Sequence, residues 1–199
     1  MGATARPPGR RRFLELVRDR PRRGDRFDAE IARQLERELT IFAADSSGFS
    51  RKTFEHGIVR FLANLARVYE GVVPIIEKHG GVVTTRNADN LLAVYRDTAG
   101  AVQAASEVHR WLRRRNARLL APDRFELCIG IHHGPVLRLR DDVYGAAVNV
   151  CAKIGEDIAK AGETLVTDTV VARTSGTGYA AAGRATIDGR SVRLHRVLP

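Results

Sequence analysis

Two stretches of helical periodicity, each set between short apolar runs of strand length, constrain this chain more than any other feature. In the first, Ile58, Phe61, Leu62, Leu65, Val68 and Val72 line one face at spacings of three and four. Ile75 and Ile76 carry the stripe past Pro74, which predicts a kink and not an end, and His79-Gly80-Gly81 stops it. In the second, Ala101, Ala104, Ala105, Val108, Trp111 and Leu112 share a face. Arg113-Arg114-Arg115 then suits the negative end of that helix and reads as a solvated terminus.

The strand-like runs fall around these helices. Residues 39–44 form a short apolar strand that ends at Asp45, and Ser46-Ser47-Gly48 breaks it before the first long helix. Residues 82–85 and 91–95 read as a tight hairpin across the polar turn 86–90. Residues 125–131 read as a strand with 136–140 as its hairpin partner, followed by a third helix over 146–159 and a strand over 163–167. A last hairpin turns at Asp188-Gly189. The order β-α-β-β-α-β, with additions, is that of an α+β fold, a ferredoxin-like antiparallel sheet covered by helices. That architecture serves many functions and names none.

Ahead of it, residues 1–25 hold eight arginines and three of the seven prolines, and read as a flexible basic arm with a short helix near 11–18. Residues 26–38 predict an N-terminal helix, since Ile31, Leu35 and Leu39 recur every four, with Asp25 or Asp28 as its cap. The domain proper is expected over 39–199. With 33 Lys and Arg against 23 Asp and Glu, the net charge of +10 favours polyanionic ligands. A nucleic-acid partner is not expected, although the basic arm leaves one open. No apolar run nears the ~18 residues of a membrane span, and residues 13–17 are too short and too charged for a signal-peptide core, so a cytoplasmic protein is expected. Cys128 and Cys151 alone make neither a disulfide framework nor a zinc site, and read as packed side chains.

Two carboxylates stand out. Asp45 ends the first strand, before a small-residue turn and a helix start, and Asp89 sits at the tip of the second-to-third-strand hairpin, which this fold places alongside. Two carboxylates on adjacent strand ends make a hard-oxygen site suited to Mg²⁺ or Mn²⁺. The turn Ser46-Ser47-Gly48-Phe49 offers backbone N–H groups to an anion. Together they read as a metal–triphosphate site, while either Asp alone reads as an ordinary turn or cap. Later, Asn149 and Lys153 lie four apart on one helical face, an amide donor beside a cation, as charge developing on a phosphoryl group requires.

These residues carry a resemblance. F-A-A-D-S-S-G-F-S (42–50), H-G-G-V-V (79–83), A-D-N-L-L-A-V-Y (88–95), I-G-I-H-H-G-P-V (129–136), D-V-Y-G-A-A-V-N-V-C-A-K (142–153) and A-G-E-T-L-V-T (161–167) stand in the order and spacing of the class III nucleotidyl cyclase catalytic domain. The likeness spans residues 39–197, and the short segment before Tyr144 resembles a bacterial subset with a trimmed dimerisation hairpin.

The resemblance implies a phosphorus–oxygen lyase that makes a 3′,5′-cyclic nucleotide and pyrophosphate from a nucleoside triphosphate, with two Mg²⁺ or Mn²⁺ per site. It implies Asp45 and Asp89 as metal ligands with the Ser46 carbonyl, and the backbone of Ser47, Gly48 and Phe49 as the triphosphate cradle. Asn149 would orient the ribose, Lys153 would stand for the transition-state cation, and Thr85 and Asp142 would read the base. It further implies a homodimer, with the metal pair of one chain facing the other residues of its partner.

Four positions depart from the family pattern. Thr85 replaces a base-reading Lys, and Lys153 replaces Arg, keeping the charge and losing the planar fork. Ala88 replaces a Gly, a change tolerated where φ is negative. Asp188 stands near the place of a phosphate-binding Lys. ATP is the expected substrate; GTP and pyrimidine triphosphates stay open because of Thr85. The alternative reading is a catalytically degenerate cyclase-like module that binds nucleotide and regulates.

Overall fold

The computed structural model of the protein describes residues 6–199. Residues 1–5 of the expected arm lie outside them. The chain opens with helices α1 (Arg10–Val17), α2 (Arg20–Arg23) and α3 (Asp25–Leu35). Strand β1 (Glu36–Ser46) leads to α4 (Phe49–His56) and α5 (Ile58–Lys78), then to β2 (Val82–Asn87), β3 (Asn90–Tyr95) and α6 (Thr98–Asn116). Next come β4 (Leu127–Arg138), β5 (Val143–Tyr144) and α7 (Ala146–Lys153), which runs into a π turn, Ile154–Ile158. Strand β6 (Thr164–Thr167), α8 (Asp168–Val171), β7 (Tyr179–Ile187) and β8 (Arg190–Val197) complete it.

One eight-stranded sheet results, ordered β2-β3-β1-β4-β6-β8-β7, with β5 on β4. The expected antiparallel core is its β2-β3-β1-β4 part, and β6 joins it parallel to β4. Alternation along β1 decides the layering. Phe42 and Ala44 pack under α5 and α6 with Val68, Val72 and Val108, while Ile41 and Ala43 face the opposite side, under Ala147 and Cys151 of α7. Both faces are buried, which is why residues 39–44 read as an unbroken apolar run. Truncating Phe42, fully buried, would cost about 3–5 kcal/mol. The α7 side approaches the sheet closely because Gly130 and Gly155 lack side chains: a Cβ on Gly130 would lie 2.5 Å from Cys151 O and 2.7 Å from Gly155 N. Both cysteines are free and buried.

Several expectations need correction. Residues 125–131 and 136–140 do not form a hairpin: β4 runs straight through Gly134-Pro135, paired with β1 from Ser46↔Leu127 to Glu36↔Leu137. Gly57, at φ 82°, splits the first long helix into α4 and α5, and Pro74 lies inside α5. The turn between β2 and β3 tightens to Ala88-Asp89, with Ala88 at φ 49°, so the condition for tolerating Ala there is not met. Residues 10–23, expected as arm with one short helix, hold two helices. Phe13 is buried in a cluster with Phe27, Ile31, Leu35 and Leu139.

Candidate active site

The last residues of β1 and the tip of the β2–β3 hairpin meet at one end of the strands. Ser46 Oγ donates to Asp89 Oδ2 at 2.5 Å, so both predicted acidic positions are joined through the residue between Asp45 and the turn. Burial, then the neighbouring Asp89, pushes the Asp45 carboxyl up from its ordinary 3.8 to about 7. Among the described residues no Lys, Arg or His forms an ion pair with either aspartate. No cluster of three or more His, Cys, Asp or Glu suited to a metal exists among them either.

The turn beyond starts α4, whose first N–H groups have no acceptor inside the helix. Ser47 departs from its expected role, because its N–H donates to Glu126 O at 2.9 Å. That leaves the backbone of Gly48 and Phe49, with Gly48 in the left-handed region at φ 79°.

Thr85, on β2, and Asp142, before β5, come together. Thr85 Oγ1 lies 3.5 Å from Asp142 Oδ1, which also accepts from Val143 N at 2.8 Å. Asn149 and Lys153 project from α7, both exposed, and neither bonds to Asp45 or Asp89 within the chain. Lys153 Nζ pairs with Asp157 Oδ2 at 2.5 Å, which raises its pKa, and the charge of Asp188 bears on it as well.

Sequence reasoning missed three residues here. A cavity of about 200 Å³ runs between the β2–β3 hairpin and α7, from Thr85 past Val148 and Ala152 to Glu156. Glu156, in the π turn, accepts from Asn90 Nδ2 at 3.2 Å, and burial raises its pKa. Asn90 Oδ1 and Tyr69 Oη are buried without a hydrogen-bond partner. Tyr69 is pushed up to about 12 by burial and by the charge of Asp89. The signal for Asn90 was its place beside Asp89; for Glu156 and Tyr69, inside helical runs, there was none.

No family model matches the chain. Among curated proteins it is 28% identical over 158 residues to a serine/threonine-protein kinase, pkn2, of Myxococcus xanthus, covering 78% of this chain and 19% of that protein. It is also 28% identical over 132 residues to "Putative adenylate cyclase 3" of Rhizobium meliloti, covering 66% of this chain and 22% of that protein. The chain thus spans about a fifth of the length of these relatives. Among solved structures, an adenylate/guanylate cyclase/hydrolase from Silicibacter pomeroyi superposes with a TM-score of 0.71 at 26% identity, covering 82% of this chain and 98% of that one. The sheet, the helices and these likenesses define a class III adenylate/guanylate cyclase domain fold, and this chain has it. Among the described residues no helix is long and apolar enough to cross a membrane.

Proposed function

We propose that the protein is a nucleotidyl cyclase, with ATP as its substrate, working in the cytoplasm as a homodimer whose sites form between the two chains. One observation carries the reading: Asp45, at the end of β1, and Asp89, at the tip of the β2–β3 hairpin, are tied through Ser46 beside the first turn of α4, with no cation among the described residues paired to either. A half-buried carboxyl held near pKa 7 beside a second one fits a divalent cation better than it fits a turn or a cap. Asp45, Asp89 and the Ser46 carbonyl would hold Mg²⁺ or Mn²⁺, two per site. Bound there, the metal would make the ribose 3′-hydroxyl a better nucleophile and neutralise phosphate charge.

The chain's own groups supply the rest. The first N–H groups of α4, at Gly48 and Phe49, bind the triphosphate. The partner's Asn149 orients the ribose, and the partner's Lys153 steadies negative charge on the α-phosphate. The partner's Thr85 and Asp142 read the base. A bond forms from the 3′-oxygen to the α-phosphorus, the bond from that phosphorus to the bridging oxygen breaks, pyrophosphate leaves, and the 3′-proton passes to solvent.

Incubating the purified chain with each of four nucleoside triphosphates and Mn²⁺ should give a cyclic product, most of it from ATP. Asp45→Ala should abolish it, and product that survives this change overturns the assignment. The second reading, a non-catalytic nucleotide-binding module, is favoured by the hold of Asp157 on Lys153 with Asp188 nearby. Binding by calorimetry without turnover under any divalent metal, together with activity restored by Thr85→Lys plus Lys153→Arg, would select it.

A further inference from the structure

The segment between β4 and β5, which carries Asp142, is gripped from the N-terminal side. Arg140 N donates to Pro8 O at 3.0 Å, and Arg10 N donates to Asp141 Oδ1 at 2.8 Å. The two segments lie flush: a Cβ on Gly9 would come within 2.7 Å of Arg140 Nη2. One helical turn on, the Phe13 ring stacks on Tyr144, centroids 5.8 Å apart and planes 22° from parallel, over the buried Leu139. With its backbone so fixed, Arg10 brings Nε to 3.7 Å from Asp142 Oδ2. The carboxylate is thereby divided. Its Oδ2 faces a cation from the N-terminal segment, and its Oδ1 faces Val143 N and Thr85.

We propose that Arg10 is a positioning residue for base recognition, a clamp that holds the Asp142 carboxylate turned toward Thr85. The inference rests on the cyclase reading of Thr85 and Asp142, and extends it by making the N-terminal segment part of the base site. A carboxylate oxygen only accepts hydrogen bonds, so an Asp142 held in this one orientation suits the amino group of adenine at the position where guanine presents a carbonyl. Arg10 therefore favours adenine. Its side chain is 65% exposed against 13% for Asp142, so removing it perturbs the acid without opening the core.

The test uses the full chain, with Arg10→Ala and Arg10→Lys. In the nucleotide-free protein, amide hydrogen exchange at Val143 should speed up in Arg10→Ala and return toward the parent rate in Arg10→Lys. With Mn²⁺, Arg10→Ala should raise KM for ATP about three- to fivefold, the scale of one exposed ion pair, with kcat and the KM for GTP unchanged. Unchanged Val143 exchange overturns the clamp, as does a fall in kcat at constant KM. A parent chain that turns over no nucleotide sinks the cyclase reading instead, and Val143 exchange alone then decides for or against the clamp.

Discussion

Ser46 Oγ donates to Asp89 Oδ2 at 2.5 Å, and this bond ties the end of β1 to the tip of the neighbouring hairpin. It gives one of two repelling carboxylates a donor inside a partly buried site. Removing it in Ser46→Ala leaves Asp89 short of a partner and should cost about 1–2 kcal/mol of unfolding free energy. Urea unfolding without metal measures this. Excess Mn²⁺ should recover most of the loss if the carboxylates hold a cation, and recovery of nothing would count against that assignment.

Asp45 predicts an unusual pH profile. Its carboxyl, ordinarily near 3.8, is held at about 7 in the folded chain, chiefly by burial and then by Asp89. Between those values the unfolded chain has lost the proton that the folded one keeps. Stability therefore falls as pH rises from about 4 to about 7, and the whole penalty is present above 7. Because the group is partly exposed, solvent screening cuts its size to about 1–2 kcal/mol. In metal-free urea unfolding, the parent should lose that much more than Asp45→Asn between about pH 4 and pH 8. Mn²⁺ should remove the difference, and parallel profiles for the two proteins would argue against an Asp45 pKa near 7.

Much of this site was legible because local pattern and fold agree there. Phe42 and Ala44 alternate with Ile41 and Ala43 across a sheet buried on both faces, and the hairpin tip carries Asp89 to the end of the same strand. The misreadings have physical causes. Gly134-Pro135 looks like a turn, yet between Ile131 and Leu137 strand β4 pairs on one flank only, with β1, so a residue without an N–H is tolerated. Gly57 was passed over because the apolar stripe of α5 dominates the pattern around it, although its φ of 82° is what divides the two helices. Glu156 escaped because the π turn departs from the 3.6-residue period that locates side chains on a helix. The grip of Pro8 and Arg10 on Arg140 and Asp141 joins residues more than 130 apart, which no periodicity reports.

Lys153, proposed above as the cation that steadies the α-phosphate, is bound to Asp157 at 2.5 Å. To reach a phosphate it must let go of that partner. Lys153→Ala should lower kcat by about a hundredfold, the scale of a lost transition-state donor, with KM little changed. Asp157→Asn should raise kcat several-fold by freeing the ammonium. Steady-state kinetics with the preferred triphosphate separates the cases, and a Lys153→Ala protein with undiminished kcat removes Lys153 from the mechanism.

Ala88 turns the hairpin at φ 49°, where a Cβ crowds the backbone and glycine does not. The cost, about 1 kcal/mol, falls beside Asp89, so relief of the strain acts on the tip that carries this carboxylate. Ala88→Gly should stabilise the protein by slightly less than that amount, since glycine also loses more freedom on folding. Ala88→Val, branched at the atom that crowds, should destabilise it by more than 1 kcal/mol, about 1–3 kcal/mol in all. Chemical denaturation of the three proteins at one pH gives the order Gly, Ala, Val from most to least stable. A reversed order would mean that the turn does not hold residue 88 in the left-handed region.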